Sequence, residues 1–514
     1  MHYASLHTHS AFSFHAGVPG VRDLVGRAKD LGMPAVALTD TDRMSGLIPH
    51  YLECRRQGIR PILGVELTEP EASANGAAAS GGPATGGPGI GGSGTARSSR
   101  DIQGAAGSAQ RENAVLLARN AEGYADLCEI ITGRHMAPDG FSFDRVFSRP
   151  WPNLFLLTAH SRVLQVLARG PNRSRLYGEL VSNSAVTRRR SRELEATASA
   201  LGIPLVASNN AFFLDPDDWE THRILTAIGL NSTLSRLRPG ECVSPQAHLR
   251  SGEEMAQAFL LPGHAEALAN TAHIAEQCDV ELELDRWILP QVSVPSGQTP
   301  ETHLAQLAWA GLEANYRGQG RSNYERARQI QRMELEVIAK LEYPSYFLIV
   351  KEIRDWANER FSSGYRRPTD CTILRGSAAN SLTFYNIGVS DLDPIRYDLY
   401  FQRFLNEDRA SPPDADLDFG WDERDQVHEF MTQRWGEERV AVTCTTIHFR
   451  ERAAFRETAK VFGYSDEQVS EILDSHKSRT KRIDDNEIRR LWELSRRIKG
   501  KPRFLGQHPG GVLI

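Results

Sequence analysis

The chain has 514 residues, 40% of them hydrophobic, a net charge of −5 and six cysteines with no C-x-x-C pair. This length implies several domains. There is no 18-residue apolar run, no charged-then-apolar leader behind Met1-His2-Tyr3 and no zinc-knuckle spacing. A membrane span, a secretory leader and a zinc finger are therefore not expected, and reduced thiols in a cytoplasm are.

Leu6-His7-Thr8-His9-Ser10 lies close to the amino terminus. Two histidines at i and i+2 on a strand share a face and can chelate one metal ion. Residues 21–31 read as a helix. Ala35-Val36-Ala37-Leu38-Thr39-Asp40 and Pro61-Ile62-Leu63-Gly64-Val65-Glu66 read as buried strands ending in carboxylates. This alternation, with polar residues at strand ends, fits a barrel. Residues 69–110 are rich in Gly, Ala and Ser and cannot bury enough surface to offset their ordering entropy, so a disordered insertion is predicted. The fold resumes at Ala114-Val115-Leu116-Leu117-Ala118, and Ala207-Ser208-Asn209-Asn210 reads as a late strand end. Residues 265–278 are the clearest helix of the next stretch. Pro290 and Pro295-Ser296-Gly297 mark the passage to a second domain, where residues 325–341 read as a long amphipathic helix.

Two motifs in that second domain carry chemistry. Arg375-Gly376-Ser377 precedes a predicted helix over residues 378–387, stopped by Gly388. Ser377 is placed at the N-cap, where free N–H groups favour anions, Gly376 admits a phosphate to the backbone, and Arg375 offers a bidentate contact. In Pro413-Asp414-Ala415-Asp416-Leu417-Asp418-Phe419, alternation along a strand sends the three carboxylates to one face and Leu417 and Phe419 to the other. Mg²⁺ takes one or two carboxylates plus phosphate oxygens, and two such ions clamp the attacking and leaving oxygens of an in-line displacement. A triphosphate turn beside an acidic strand reads as half of a nucleotidyl-transfer site. Asp418 is read as a supporting carboxylate.

Beyond these, residues 450–503 hold 15 Lys/Arg against 10 Asp/Glu, within a chain that is negative overall. Arg450, Lys477, Arg479, Lys481 and Arg482 are the candidate DNA contacts, sequence-independent and salt-sensitive. The run Arg188-Arg189-Arg190-Ser191-Arg192 is read as a solvated face.

In order along the chain stand Tyr346-Phe347-Leu348-Ile349-Val350, Arg375-Gly376-Ser377, Asp391-Leu392-Asp393-Pro394, Phe401-Gln402-Arg403-Phe404-Leu405-Asn406, the acidic strand and Gln507-His508-Pro509-Gly510-Gly511. With this series the chain resembles the bacterial DNA polymerase III α-subunit family, the C-family DNA polymerases, over nearly its whole length. Ser411-Pro412-Pro413-Asp414, the segment from Thr446 to Arg452 and His508-Pro509-Gly510-Gly511 look nearer the error-prone, translesion branch. The resemblance implies a multidomain α/β chain. Residues 1–283 would be a PHP domain, a distorted (β/α) barrel. Residues 284–445 would be a nucleotidyltransferase-like α+β palm, 446–501 a helical thumb, and 502–514 a returning palm segment. Asp414 and Asp416 would be two of three catalytic carboxylates holding two Mg²⁺ ions, and Arg375, Gly376 and Ser377 would hold the incoming triphosphate. The third carboxylate, the fingers and the clamp-binding region lie further on in the family, so this chain is expected to be an amino-terminal portion, inactive as a polymerase alone. Leu374 stands where the family usually has Gly, and its β-carbon is expected to crowd the turn.

The family's PHP metal set is depleted here. His7, His9 and Glu66 stand at ligand positions, but Ala16, Thr41, Asn113, Asn210 and Phe212 replace others, with His160 as a substitute ligand. Bound Zn²⁺ or Mn²⁺ and nuclease activity are not expected there. Implied partners are primer–template DNA, deoxynucleoside triphosphates, the rest of the polymerase, and a sliding clamp and translesion accessory proteins reached through that remainder, with no membrane. The alternatives are a PHP-type phosphoesterase or 3′–5′ exonuclease, and a non-catalytic piece of a split polymerase.

Overall fold

The computed structural model describes residues 3–70, 111–137, 140–284, 287–361, 372–408, 412–478 and 486–514. Most of the expected insertion, together with Arg479, Lys481 and Arg482, falls outside them. The chain forms two compact units, one built from residues 1–282 and 445–506 and the other from 283–444 and 507–514. No helix among the described residues is long and apolar enough to cross a membrane.

The first unit is built on a six-stranded sheet in sequential order, β1 (Ala35–Leu38), β2 (Arg60–Thr68), β3 (Asn113–Ala118), β4 (Leu154–Thr158), β5 (Leu176–Val181) and β6 (Leu205–Ser208). Every residue of β1, β3 and β4 is buried, as apolar runs covered on both faces require. β3 runs antiparallel to both neighbours, so the regular parallel barrel rhythm is interrupted there. The amino-terminal segment joins the sheet's two ends: Ser5 bridges Val36 of β1, and Thr8 bridges Ala211 just beyond β6. Backbone bonds from Ala37 to Ser5, Thr39 to Thr8 and His9 to Ala211 complete that closure. The barrel is thus shut by the segment that carries His7 and His9.

Helices Val21–Asp30, Leu47–Gln57, Ala121–Met136, Ser161–Arg169 and Ala185–Leu201 alternate with these strands. The later stretch of the same unit adds helices Glu451–Val461, Asp466–Ser478 and Asn486–Ile498. Phe449 and the first and third of these helices enter one cluster with barrel residues, in which Phe449, Ala454, Val461, Leu494 and Ile498 pack with Ala16, Val18, Phe212, Phe213 and Ile224. Helix Asp466–Ser478 packs through Val469 and Leu473 with Phe455, Leu491 and Trp492.

The second unit places helices Pro300–Tyr316, Arg321–Lys340 and Pro344–Phe361 beside a two-stranded antiparallel ribbon, β7 (Ile373–Arg375) with β8 (Asp416–Asp418). Phe347, Phe384 and Phe404 form its aromatic centre, with Phe347 stacked on Phe384 at 4.2 Å. Trp356 stacks on Phe430 at 4.4 Å, so it packs inside the unit, as does Phe361. Strands β9 (Ala441–His448) and β10 (Pro502–Leu513) pair with each other, and the division between units falls within both.

Candidate functional site

The acidic strand and the Gly-Ser turn meet through register. Ile373 pairs with Asp418, Leu374 with Leu417 and Arg375 with Asp416. Arg375 therefore shares a face with Asp416 and Asp418. Its Nε donates to both Asp418 oxygens at 2.8 and 2.9 Å, and its Nη1 lies 3.4 Å from Asp416 Oδ2. Gly376 follows at φ +73°, and a β-carbon there would sit 3.1 Å from Asp416 Oδ2. Glycine is needed both for the backbone angle and for the approach of the carboxylate. Asp414 is exposed and precedes β8, so the alternation that gathers carboxylates on one face applies to Asp416 and Asp418.

Two expectations change here. Leu374 is 3% exposed and packs in the aromatic core across from Leu417, on the opposite face from Arg375. Its β-carbon points away from the carboxylates and does not crowd the turn. The helix expected over residues 378–387 is two pieces, a 3₁₀ turn Gly376–Asn380 and a helix Leu382–Asn386 capped by Ser381 rather than Ser377. The break has a cause: the buried carboxylate of Glu334 accepts from Ser381 Oγ, Leu382 N and Thr383 N, each at 2.8 Å. The N–H groups that open the observed helix, those of Leu382 and Thr383, are taken by this internal anion and are closed to a phosphate. The turn itself presents Gly376, Ser377 and Arg375.

The second candidate centre lies in the barrel. His7, His9 and Glu66 bring one ligand atom each within 4.8 Å of the others. Neighbouring groups fix both imidazoles. His7 Nδ1 donates to Glu179 Oε1 at 2.8 Å. His9 Nδ1 donates at 2.9 Å to Ser13 Oγ, whose hydroxyl donates to Asp40 Oδ1 at 2.7 Å. An acceptor held against Nδ1 in this way sets the tautomer. The two Nε2 atoms consequently face each other at 3.2 Å, with Asn210 Oδ1 3.1 Å from His9 Nε2 and Glu66 Oε1 3.5 Å from His7 Nε2. Four lone-pair atoms converge on one point, which a proton or a single cation can fill.

The electrostatics favour a charged filling. Burial alone would lower His7, but Glu179 and Glu66 outweigh it and push its pKa up to about 10. Burial lowers His9 to about 3. Burial opposes charge on Glu66 as well, yet hydrogen bonds from His7 and Thr41 carry its carboxyl down to about 2. A protonated His7 between two buried carboxylates is itself a counter-cation.

Among the described residues the cluster that could hold an ion is His7, His9 and Glu66, one ligand atom from each. Thr41 Oγ1 and Asn113 Nδ2 each donate to Glu66 at 2.6 Å and so hold its carboxylate in place. Phe212 stacks on His9 with ring centroids 3.9 Å apart. Ala16 and Phe212 also belong to the cluster that seats the helices around Phe449 and Leu494. His160 is buried and lowered to about 4 by that burial; it lines a cavity of about 530 Å³ together with Glu66, Asn113 and Glu179.

Of the basic candidates, Arg450 is exposed at the N-cap of helix Glu451–Val461 and Lys477 lies in helix Asp466–Ser478. The structure adds a groove of about 290 Å³ lined by Arg489, Arg490 and Arg497, where Arg490 also meets Glu220 at 2.5 Å. Glu179 and Glu334 were not singled out by sequence. Each is a lone carboxylate inside an apolar pattern, and a charge in such a place is almost always paired.

Residues 5–198 match the PHP domain family, and residues 302–514 match the bacterial DNA polymerase III alpha NTPase domain family. The DNA polymerase III subunit alpha of Pseudomonas aeruginosa is 30% identical over 545 residues, covering all of this chain and 44% of that protein. The error-prone DNA polymerase of Mycobacterium tuberculosis is 30% identical over 540 residues, covering all of this chain and 45% of that protein. The DNA polymerase III subunit alpha of Escherichia coli K12 is 30% identical over 563 residues, covering all of this chain and 44% of that protein.

A PHP domain followed along the chain by a polymerase-type NTPase domain is thus the class of protein these matches define. More particularly, the chain belongs to the bacterial DNA polymerase III alpha-subunit family. It spans about half the length of the curated relatives it matches.

Proposed function

We propose that this chain supplies the triphosphate turn and two metal-binding carboxylates of a DNA polymerase, which adds deoxynucleotides to a primer 3′ end. The observation that carries this reading is the register of β7 and β8, which sets Gly376 against Asp416 and aims Arg375 at the same carboxylates. Asp414 and Asp416 would hold divalent ions, Mg²⁺ foremost. When bound, these ions neutralise the charge that develops on the attacking and leaving oxygens. Gly376 and Ser377 offer backbone and hydroxyl groups to the triphosphate, and Arg375 exchanges carboxylate for phosphate when the nucleotide arrives. Template and primer would lie along the basic helices of residues 450–503, through Arg450, Lys477, Arg479, Lys481 and Arg482. Residues 1–283 would serve as the PHP domain, 284–445 as the palm and 446–501 as the helical thumb. The setting is replication or damage-tolerant synthesis in a bacterial cytoplasm, with clamp and accessory proteins met through the rest of the polymerase.

The test is primer extension with Mg²⁺ and four deoxynucleotides, for this chain and for the same chain continued to the length of its relatives. Extension by the longer protein, lost in Asp414→Ala and in Asp416→Ala, is expected, with none from the 514 residues alone. An active Asp416→Ala protein would overturn the assignment.

The barrel centre is proposed to be without phosphoesterase or exonuclease activity. That reading is supported by the conversion of Thr41 and Asn113 into donors to Glu66.

A further inference from the structure

Glu334 sits on helix Arg321–Lys340 and is fully buried. Its three hydrogen bonds all go to one short stretch, Ser381 to Thr383. Gln331, nearly one turn earlier on the same helix, donates to Thr383 Oγ1 at 2.8 Å and accepts from Asn386 Nδ2 at 2.7 Å. Asn315, on helix Pro300–Tyr316, donates to Asn386 Oδ1 at 3.1 Å. Two long helices thereby grip both ends of helix Leu382–Asn386. The arrangement is costly: burial pushes the Glu334 carboxyl up to about 7 in spite of its donors. Helix Leu382–Asn386 is itself largely buried, and Ser381 caps it by accepting from Phe384 N.

What the anchor does fix is the exit of the Gly-Ser turn. The 3₁₀ turn Gly376–Asn380 runs directly into Ser381, whose N–H returns to Ala378 O at 3.1 Å. We infer that Glu334 is a positioning residue for nucleotide binding, holding Gly376 and Ser377 in the receiving shape before the triphosphate arrives. This rests on the reading of that turn as the triphosphate site. Glu334 touches no substrate. Its effect is preorganisation, which appears in nucleotide affinity more than in the chemical step.

The experiment is steady-state primer extension by the polymerase-length protein, with unfolding midpoints measured alongside. Glu334→Gln keeps the volume but turns an amide N–H₂ toward groups that are themselves donors. It is expected to raise the KM for deoxynucleotide about tenfold with kcat changed much less. Ser381→Ala, which removes one of the three donors, is expected to give a smaller rise in the same direction and keeps the test open if Glu334→Gln does not fold. Arg375→Ala serves as the control for the turn itself. A raised KM in Arg375→Ala with an unchanged KM and only a lowered midpoint in both other variants overturns the role of Glu334 alone. An Arg375→Ala protein with unchanged KM, or no extension by the unsubstituted protein, overturns the underlying reading and this inference with it.

Discussion

The imidazole of His9 lies nearly parallel to the phenyl ring of Phe212, with planes 15° apart and centroids separated by 3.9 Å. One face of Phe212 therefore covers a histidine of the barrel centre, while the residue packs in the same cluster as Phe449, Leu494 and Ile498. Val18 N donates to Phe212 O, and His222 Nδ1 donates to Ala16 O at 2.7 Å, fixing the two loops that bear these residues. Ala16 and Phe212 thus serve as packing surface beside the barrel centre.

Restoring polar groups at those positions should not restore a metal enzyme. Phe212→His and Ala16→Asp place polar atoms in a cluster made of apolar side chains. Both are expected to lower the unfolding midpoint of the first unit and to release no nucleotides with Mn²⁺. Phe212→Ala, which only empties the site, is expected to cost about 3–5 kcal/mol in chemical denaturation. A Phe212→His protein of undiminished stability would contradict the packing role.

The barrel centre should give stability a definite pH profile. His7 is raised from 6.5 to about 10 by its carboxylate partners, with burial opposing. Its contribution is complete below about pH 6.5 and disappears as pH rises through 10. His9 is depressed from 6.5 to about 3 by burial, so its contribution is present above pH 6.5 and is lost as pH falls through 3. For these two groups stability peaks near pH 6.5. Denaturation midpoints measured with a chelator present should decline between pH 6.5 and 10 in the unsubstituted protein, and that alkaline decline should flatten in His7→Gln.

Arg375 separates the roles of the carboxylates. Asp418 accepts two contacts from its Nε, whereas Asp416 is met at 3.4 Å. The pair is well exposed, so Asp418→Ala is expected to leave the unfolding midpoint nearly unchanged. In the polymerase-length protein it is expected to reduce primer extension modestly, where Asp416→Ala abolishes it. Equal losses in the two variants would make Asp418 a metal ligand instead of the rest position of Arg375.

Two helical glycines should respond in opposite directions. A β-carbon at Gly311 would lie 1.8 Å from the carbonyl oxygen of Asn386. Gly311→Ala is expected to cost about 1–3 kcal/mol through forced separation of the two helices. Gly133, inside helix Ala121–Met136, has nothing within 4 Å of its would-be β-carbon. Gly133→Ala is expected to add about 0.5–1 kcal/mol by removing backbone freedom from the unfolded chain. Thermal unfolding of the two variants side by side checks both signs.

How far the sequence discloses these features follows from the range of the interactions. The barrel strands are visible in short apolar runs such as Ala114–Ala118, because burial on both faces leaves no room for polar side chains. Arg375-Gly376-Ser377 and Asp414-Ala415-Asp416 are visible because turn and strand are local. The division of residues 376–386 is not visible, since it is imposed by Glu334, some 47 residues away in sequence. Yet Ala327, Gln331, Glu334 and Ile338 form the buried stripe of their helix, and a carboxylate on that stripe is a departure from amphipathic order that marks it. Glu179 likewise interrupts an apolar strand, Leu176–Val181, and its partner His7 is 172 residues distant.

The cluster that joins Ala16, Val18 and Phe212 to Phe449, Leu494 and Ile498 has a consequence for synthesis on the ribosome. When residue 282 emerges, the barrel's strands are all present, but the side chains that cover this face are not. The whole stretch 283–444 must be translated first, which at roughly 5–20 residues per second leaves an apolar face bare for on the order of ten seconds or more. The nascent barrel is therefore a holding state, open to chaperones and to misassembly with a neighbouring nascent chain, until residues 445–506 return to close it.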